Sequence, residues 1–259
     1  MKNQPEIVDA IQRISLATSF DEAWDALHKS TEQLEVKLGS YAFGFPVDKT
    51  LDGVECSTLP IQSEGVSKHA YDTDFMDFYD DGAFFEYDTT VLWAGRNRRP
   101  ALWTEIDRPV VNGDWNGKFA DLYHGARDFG LKSGVVIPLR KRSDLALGGM
   151  VFVTDSELKP GQADQLLTER MPALQQLAEA FHLYRPISDL SSVKIGLSRR
   201  EKECLQYLSQ GLGHKQISYR LETHDRTVQK QIASAKKKLS AETATQAVVK
   251  ALAYELIEP

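Results

Sequence analysis

Apolar residues recur with two different periods along the first 180 residues, which predicts helices and strands mixed in one domain. Helical spacing predicts helices over 4–17, 20–38, 73–79, 89–95, 115–129 and 162–183. The second of these ends at Gly39 and the last is interrupted at Pro172. Short apolar runs predict extended segments over 41–45, 54–59, 102–106, 133–139 and 148–154. Because strands and helices do not alternate regularly, we expect an α+β fold with an N-terminal antiparallel sheet flanked by helices, an α/β/α sandwich.

The last 60 or so residues change to short helical patterns separated by polar turns. They predict helices over 199–210, 214–221, 226–239 and 243–256. Ser198 and Glu201 have the spacing of a capping box at the start of the first helix. The third helix carries five basic residues and no acid: Arg226, Lys230, Lys236, Lys237 and Lys238. We therefore expect a small all-α, four-helix domain with a helix-turn-helix that contacts DNA.

Charge is distributed unevenly between these two parts. Residues 197–259 contain 11 Lys and Arg against 7 Asp and Glu, whereas residues 1–181 contain 18 against 29, within a formal net charge of −6. The basic C-terminal segment and the acidic N-terminal segment indicate that only the C-terminal domain contacts DNA and that the N-terminal domain has a different function. The polar stretch YRPISDLSSVK marks the junction. We expect domains at 1–183 and 196–259, joined by a linker at 184–195.

Several classes of protein do not fit the composition. Cys56 and Cys204 fall in different predicted domains, so we expect no disulfide and a reducing compartment. No apolar run approaches the ~18 residues of a membrane helix, and the first residues lack a signal-peptide core. The sequence thus predicts a cytoplasmic protein without a membrane partner. His124, His182 and His214 have no ligand-like partners in spacing, and we expect no metal site and no cofactor.

The outward face of the second and third C-terminal helices holds the candidate DNA contacts. A recognition helix packs one face on its bundle while its outward side chains meet base edges and phosphates. Gln can read adenine, and Lys can approach guanine. The candidates are Lys215, Arg226, Thr227, Gln229, Lys230, Ala233 and Lys237. A basic amphipathic helix that is merely solvated is the alternative.

This segment resembles the LuxR-type helix-turn-helix. The resemblance rests on LSRRE at 197–201, RTVQKQI at 226–232, KKKL at 236–239 and TQAV at 245–248. Gln231 departs from a frequent His and Gln229 from a frequent Lys. The resemblance implies a homodimer on a palindromic double-stranded DNA site, with a dimer contact on the fourth helix. Its apolar stripe packs either on a second copy or on its own bundle: Ala247, Val248, Ala251, Leu252 and Leu256.

Residues 71–139 resemble the autoinducer-binding domain of quorum-sensing LuxR regulators. The resemblance rests on the spacing of five residues and on the segment DFGLKSGVVIPL at 128–139. In this segment Gly134 occupies the position of a glycine that lines the ligand pocket in the family. The five are Tyr71, Phe75, Tyr79, Asp88 and Trp103. It implies a small signal molecule, such as an acyl-homoserine lactone, as the ligand.

In that interpretation Asp88 accepts the amide N–H of the ligand and Tyr79 donates to its acyl carbonyl. Trp103 packs on the lactone ring, and Tyr71 lines the same wall. Val151 belongs to a strand that offers few polar atoms to the acyl chain. Singly, each residue also fits a plain role, because Phe75 and Tyr79 form a core stripe and Asp88 can cap a helix.

Two residues depart from the family pattern. The family has a Trp at the position of Phe75, where its indole N–H reaches the lactone carbonyl, and Phe has no donor. An unpaired buried carbonyl costs about 1–3 kcal/mol. The family usually has Pro at the position of Thr89. These departures leave open whether the chain is an orphan ("solo") member.

Three functions follow from these observations. The leading hypothesis is a transcriptional regulator whose N-terminal domain senses an acyl-homoserine lactone or related signal and controls dimerisation and DNA binding. The alternative is a ligand-independent regulator controlled by a partner protein or by its abundance. An enzyme acting on acyl lactones through Asp88, Tyr79 and His124 is disfavoured, because the sequence has no nucleophile elbow, metal motif or phosphate loop.

Overall fold

A computed structural model describes residues 4–44, 47–51, 54–58, 66–140, 147–184 and 195–258. The chain divides into two units, Met1–Arg185 and Pro186–Pro259. Of the expected linker, residues 185–194 lie outside the described residues. Within the described ranges, no helix has the length and apolar composition to cross a membrane.

The N-terminal unit combines helices with two antiparallel sheets. Its helices are α1 (Gln4–Leu16), α2 (Phe20–Glu32), α3 (Thr73–Asp81), α4 (Thr89–Arg96), α5 (Trp103–Ile106), α6 (Arg108–Val111), α7 (Lys118–Asp128) and α8 (Pro160–Tyr184), with a 3-10 turn at Phe84–Tyr87. Its strands are β1 (Lys37–Gly44), β2 (Val47–Leu51), β3 (Val54–Thr58), β4 (Val66–His69), β5 (Ala101–Leu102), β6 (Gly134–Arg140) and β7 (Leu147–Val153). The main sheet has the order β4-β1-β7-β6-β5, and β2 pairs with β3 separately.

Alternating side chains along the strands give the main sheet two different faces. Tyr41 pairs with Met150 across β1 and β7, and Ala42 pairs with Gly149. The first pair lies on the side of α2 and α8, since the Tyr41 ring meets the Phe181 ring edge-on at 5.2 Å. The second pair lies on the side of α4, where Ala42 packs with Val91. Helices therefore cover both faces, which confirms the α+β sandwich.

The face under α2 and α8 is a closed aromatic core. Phe20 and Phe181 meet edge-on at 5.3 Å, and Trp24 meets Phe181 at 5.8 Å. The Tyr41 hydroxyl lies 3.1 Å from Nδ1 of His182, so this core satisfies its buried hydroxyl internally.

Three predicted elements were wrong. The helix expected over 20–38 ends at Glu32, because Glu35 has a positive φ of 61° and residues 34–38 then alternate buried and exposed, which is the period of a strand. Of the extended segment expected over 102–106, all but its first residue is helix α5. Pro172 does not interrupt α8. Leu167 and Leu174 are fully buried on either side of it, so packing outweighs the lost hydrogen bond.

The C-terminal unit contains the four expected helices, here α9 (Arg199–Ser209), α10 (His214–Arg220), α11 (Asp225–Lys238) and α12 (Ala244–Ala253). Cys204, a free thiol, lies in its core with Ile217, Val228 and Ile232. Helix α11 begins at Asp225, one residue earlier than expected, with His224 at the N-cap.

The apolar stripe of α12 is only partly available to a second copy. Ala247 and Ala251 are buried within the unit itself, and so is Leu256, which lies beyond the end of α12 at Ala253 and not in the helix as expected. Val248 and Leu252 are partly exposed. Packing on its own bundle thus accounts for three of the five stripe residues.

Glu201 links the start of α9 to the end of α11. The capping box with Ser198 is present, and Nζ of Lys238 donates to Oε2 of the carboxylate at 2.8 Å. Burial by itself would raise the pKa of Glu201, but hydrogen bonds from Lys238, Ser234 and Ser198 lower it to about 2. A buried carboxylate thus has its charge compensated within the unit.

We expect Glu201→Gln to destabilise the C-terminal unit by about 1–3 kcal/mol, because it removes the carboxylate that compensates the charge of Lys238, whose Nζ then keeps its hydrogen bond to the carbonyl oxygen of Gly196. Hydrogen exchange of 199–238 in the full chain measures this. Glu203→Gln is the control, since Glu203 pairs with the exposed Arg199, and this variant should change stability by under about 1 kcal/mol.

The contribution of Glu201 to stability depends on pH. Because folding lowers the pKa of Glu201, this contribution is present above the unfolded pKa near 4.5 and is lost as pH falls towards 2. Equal protection in both variants would contradict this role.

Candidate functional site

A row of aromatic side chains lies along α3 and the residues just before it. The rings of Tyr71 and Phe75 meet edge-on with centroids 5.2 Å apart, and those of Phe75 and Tyr79 are 5.9 Å apart. Phe75 and Tyr79 are one helical turn apart, which places them on the same face of α3. The structure thus brings these three predicted residues together.

A glycine at a β-bulge provides the space for Tyr71. The register of β1 against β7 shifts between Leu38 and Ser40. A Cβ on Gly39 would lie only 2.6 Å from the Tyr71 hydroxyl. The Ser40 side chain hydrogen-bonds this hydroxyl, while burial raises the pKa of Tyr71 well above its usual range. Sequence analysis interpreted Gly39 only as a helix stop and missed this role.

Asp88 joins α3 to the start of α4. Its Oδ2 accepts from the Tyr79 hydroxyl at 3.0 Å, and its Oδ1 accepts from the Thr90 amide at 2.8 Å and the Thr90 hydroxyl at 2.6 Å. Burial raises the pKa of Asp88, and the hydrogen bonds from Thr90 and Tyr79 oppose that rise. Asp88 therefore has the cap role and also the contact to Tyr79; Thr90 was not predicted.

Trp103 packs against the sheet face opposite the aromatic core. It belongs to a buried cluster with Val136 and Val151, on which Tyr71 also packs. A Cβ on Gly134 would lie 2.6 Å from Cε2 of Trp103 and 2.8 Å from the carbonyl oxygen of Phe152. Only glycine leaves space for the indole at this position. All seven predicted pocket residues therefore form one connected set on the α4 side of the sheet.

Thr89 makes a contact that a proline cannot make. Its hydroxyl donates to Oδ1 of Asp107 at 2.7 Å, and Nη2 of Arg127 lies 3.6 Å from the other oxygen of that carboxylate. The guanidinium of Arg127 is itself stacked on Tyr123, 3.3 Å from the ring centroid. Burial raises the pKa of Asp107, and both Thr89 and Arg127 oppose the rise. This network ties the pocket helix α4 to α7.

The ring of Phe75 is surrounded by other rings. Phe129, at the end of α7, meets it edge-on at 5.6 Å, and Phe78 lies 6.2 Å away. Phe129 is 42% exposed, so this aromatic group reaches the surface. Sequence analysis placed Phe129 only at a helix end. In the described ranges, no group of three His, Cys, Asp or Glu side chains could hold a metal ion.

The second candidate surface is the outward face of α10 and α11. Val228, Ile232 and Ala235 turn inwards and are buried. The predicted DNA contacts are all exposed: Lys215, Arg226, Thr227, Gln229, Lys230, Ala233 and Lys237. Nε2 of Gln229 donates to Asp225 at 2.9 Å, so reading a base requires this hydrogen bond to be exchanged. The last turn of α11 adds Lys236 and Lys238.

Two family matches cover most of the chain. Residues 19–184 match the family described as autoinducer binding domain, and residues 196–251 match the bacterial regulatory proteins of the luxR family. The chain belongs to the LuxR family of regulators. It is a DNA-binding transcriptional regulator with an autoinducer-binding domain, as the two resemblances predicted.

Similar proteins span the same two domains. The transcriptional activator protein VanR of Vibrio anguillarum is 26% identical over 98% of both chains. SolR of Ralstonia nicotianae is 27% identical over 93% of this chain and 100% of its own. LuxR of Aliivibrio fischeri is 26% identical over 70% and 71%. All three relatives are transcriptional activator proteins.

Solved structures show the same fold. The crystal structure of SdiA from Escherichia coli has a TM-score of 0.55 at 20% identity and covers 98% of this LuxR-family chain and 99% of its own. CepR2 from Burkholderia cenocepacia has a TM-score of 0.53 at 15% identity, covering 71% and 96%. At these identities the likeness establishes the fold, while the chemistry of the pocket depends on this chain's own side chains.

We expect Thr89→Val to lower the free energy of unfolding by about 1–3 kcal/mol, because it leaves the buried Asp107 with one donor fewer. Chemical denaturation of the full chain measures this. Thr104→Val is the matched control, since its hydroxyl donates at 2.8 Å to Asp164 at an exposed site, and it should cost under about 1 kcal/mol. A Thr89→Val protein as stable as the control would show that the network does not support α4.

Proposed function

We propose that this LuxR-family chain is a ligand-gated regulator whose N-terminal unit binds a neutral acyl amide or acyl ester, with acyl-homoserine lactones as the leading candidates. The observation that carries the proposal is the Tyr79–Asp88 hydrogen bond of 3.0 Å beside an aromatic wall. A tyrosine hydroxyl and a carboxylate side by side offer a donor and an acceptor to one amide group. An amide buried there needs both partners.

The ligand occupies the set formed by Tyr71, Phe75, Tyr79, Asp88, Trp103, Gly134 and Val151. Asp88 accepts the amide N–H, and Tyr79 then turns its hydroxyl to the acyl carbonyl. Both the Asp88 charge and the apolar cluster around Trp103 disfavour an anionic ligand. The CepR2 structure is described as N-acylhomoserine lactone dependent, and SdiA was solved with octanoyl-rac-glycerol. Both kinds of neutral acyl compound suit this set of polar groups.

Binding completes the core on the α4 side of the sheet and stabilises a homodimer. The dimer presents two copies of α11 to a palindromic site about one DNA turn apart. Val248 and Leu252, the partly exposed residues of the α12 stripe, contribute to that contact. We propose domains at 1–183 and 196–259 with a linker at 184–195, and action in the cytoplasm where the DNA is.

A ligand-independent regulator, controlled by a partner protein or by abundance, is the second candidate. The observation in its favour is Phe75, which has no hydrogen-bond donor and is already packed against Tyr71, Phe78, Tyr79 and Phe129. Such a ring cluster supports folding without a ligand.

A thermal-stability assay with a panel of acyl-homoserine lactones separates the two. A ligand at 100 times its Kd adds about 2.7 kcal/mol to the free energy of unfolding. We expect lactones to stabilise the wild type, and Phe75→Trp, which adds an indole donor, to respond at least as strongly. Phe129→Trp adds an indole outside the predicted position and is the control. If no lactone raises the thermal stability of either the wild type or Phe75→Trp, the protein is not a lactone receptor.

The outward face of α10 and α11 is tested by measuring the affinity of the protein for a DNA site selected from random sequences. We expect Lys230→Ala to weaken binding across all sequences and to reduce the salt slope by about 1, because one phosphate contact is lost. Gln229→Ala should relax the preference at one base pair by about 1–3 kcal/mol. Lys132→Ala, an exposed lysine of the N-terminal unit, is the control. Wild-type affinity in both α11 variants would exclude this face.

A further inference from the structure

Trp103 carries a buried N–H with no hydrogen-bond partner. Its side chain is 8% exposed, and in the described part of the chain no acceptor reaches its Nε1. A buried indole N–H normally has a partner, because leaving it unpaired costs roughly a ten- to hundredfold change in an equilibrium constant. Trp93 shows the ordinary outcome, since its Nε1 donates to the carbonyl oxygen of Arg99 at 2.9 Å.

The surroundings of Trp103 explain why the protein supplies no acceptor. The indole packs with side chains that have no polar atoms: Ala94, Ala101, Ile106, Val136, Val151 and Val153. Tyr71 also packs on this cluster, but its hydroxyl is hydrogen-bonded with Ser40. The edge that carries Nε1 is held in place at Gly134, where a Cβ would lie 2.6 Å from Cε2 and 2.9 Å from Cζ2. The donor is thus fixed in an apolar environment.

The other polar groups of the pocket are already paired or absent. Asp88 accepts from Tyr79 and from Thr90 through both of its oxygens. Phe75 contributes no donor at the position where the family has an indole. Among the predicted pocket residues, Trp103 therefore holds the one unpaired donor. Tyr71 and Phe75 lie between it and the Tyr79–Asp88 pair in the chain of contacts.

We propose that Nε1 of Trp103 donates a hydrogen bond to a carbonyl oxygen of the bound ligand, in place of the donor that Phe75 lacks. This inference rests on the proposed function and specifies its ligand class. The ligand is a neutral molecule with an N–H or O–H for Asp88 and a second acceptor, such as a lactone or ester carbonyl, placed against Trp103. A molecule with only the acyl amide leaves the indole unpaired and binds more weakly.

Two probes that differ at this acceptor provide the test. One is the lactone that stabilises the full-length wild type or Phe75→Trp most, and the other is the N-cyclopentyl amide of the same acyl acid, which lacks the lactone carbonyl. We expect the wild type to prefer the lactone roughly ten- to a hundredfold. Trp103→Phe should bind both probes equally, and Phe75→Trp/Trp103→Phe should recover the preference. Trp93→Phe, whose indole is already paired, should keep it.

A measurement on the wild type avoids any folding defect of Trp103→Phe. The chain has 4 Trp, so ¹⁵N-labelled indoles give few signals, and Phe variants of the other three assign Trp103 by elimination. We expect the Trp103 indole proton to move downfield with the lactone and not with the cyclopentyl amide. A preference for the lactone that survives in Trp103→Phe, or an unmoved signal on binding, overturns this inference and leaves the proposed function intact. Absence of lactone binding in wild type and Phe75→Trp overturns both.

Discussion

The α4 side of the main sheet depends on one partly buried carboxylate, that of Asp88. Asp88 caps α4 through Thr90 and accepts the Tyr79 hydroxyl from α3, so a single side chain sets the relative position of two helices. A buried charge without these partners would be costly.

The two faces of the main sheet have different physical tasks. Under α2 and α8, the rings of Phe20, Tyr41 and Phe181 pack edge to face, and the buried Tyr41 hydroxyl meets His182. On the α4 side, Gly134 and Gly149 have no side chains, and Trp103 and Ala94 lie where a Cβ of these two residues would be. One face is therefore a closed core. The other is apolar but retains an indole N–H that the protein does not satisfy.

The departures from the family pattern fall on the same few elements. Phe75 exchanges an indole for a ring that is packed by Phe78 and Phe129. Thr89 exchanges a rigid first helical residue for a hydroxyl that holds Asp107. The set of predicted pocket residues thus has one donor fewer than the family pattern, and the start of α4 has a hydrogen bond that a proline could not make. In the DNA-binding unit the two departures, Gln229 and Gln231, lie on α11, where the exposed basic face and the buried apolar face remain separate.

Much of this protein could be predicted from its sequence, because local chemistry determines it. The Ser198–Glu201 capping box, the amphipathic α11 and the apolar strands β6 and β7 depend on neighbours in sequence, and their residues were identified correctly. The spacing from Tyr71 to Trp103 also selected residues that the fold brings into contact with one another. These features need only helical or strand periodicity.

Other features were decided by the tertiary structure. Lys37 and Leu38 belong to strand β1 and not to helix α2 because they pair with β7. The continuity of α8 through Pro172 depended on packing of the helix against the rest of the unit. Contacts between residues far apart in sequence include the packing of Tyr71 at the Gly39 bulge and the hydrogen bond from Thr89 to Asp107. The N–H of Trp103 is unpaired because of the apolar residues that the fold packs around it. Periodicity carries no information about such contacts, because they arise only when separate elements pack and exclude water from the groups between them.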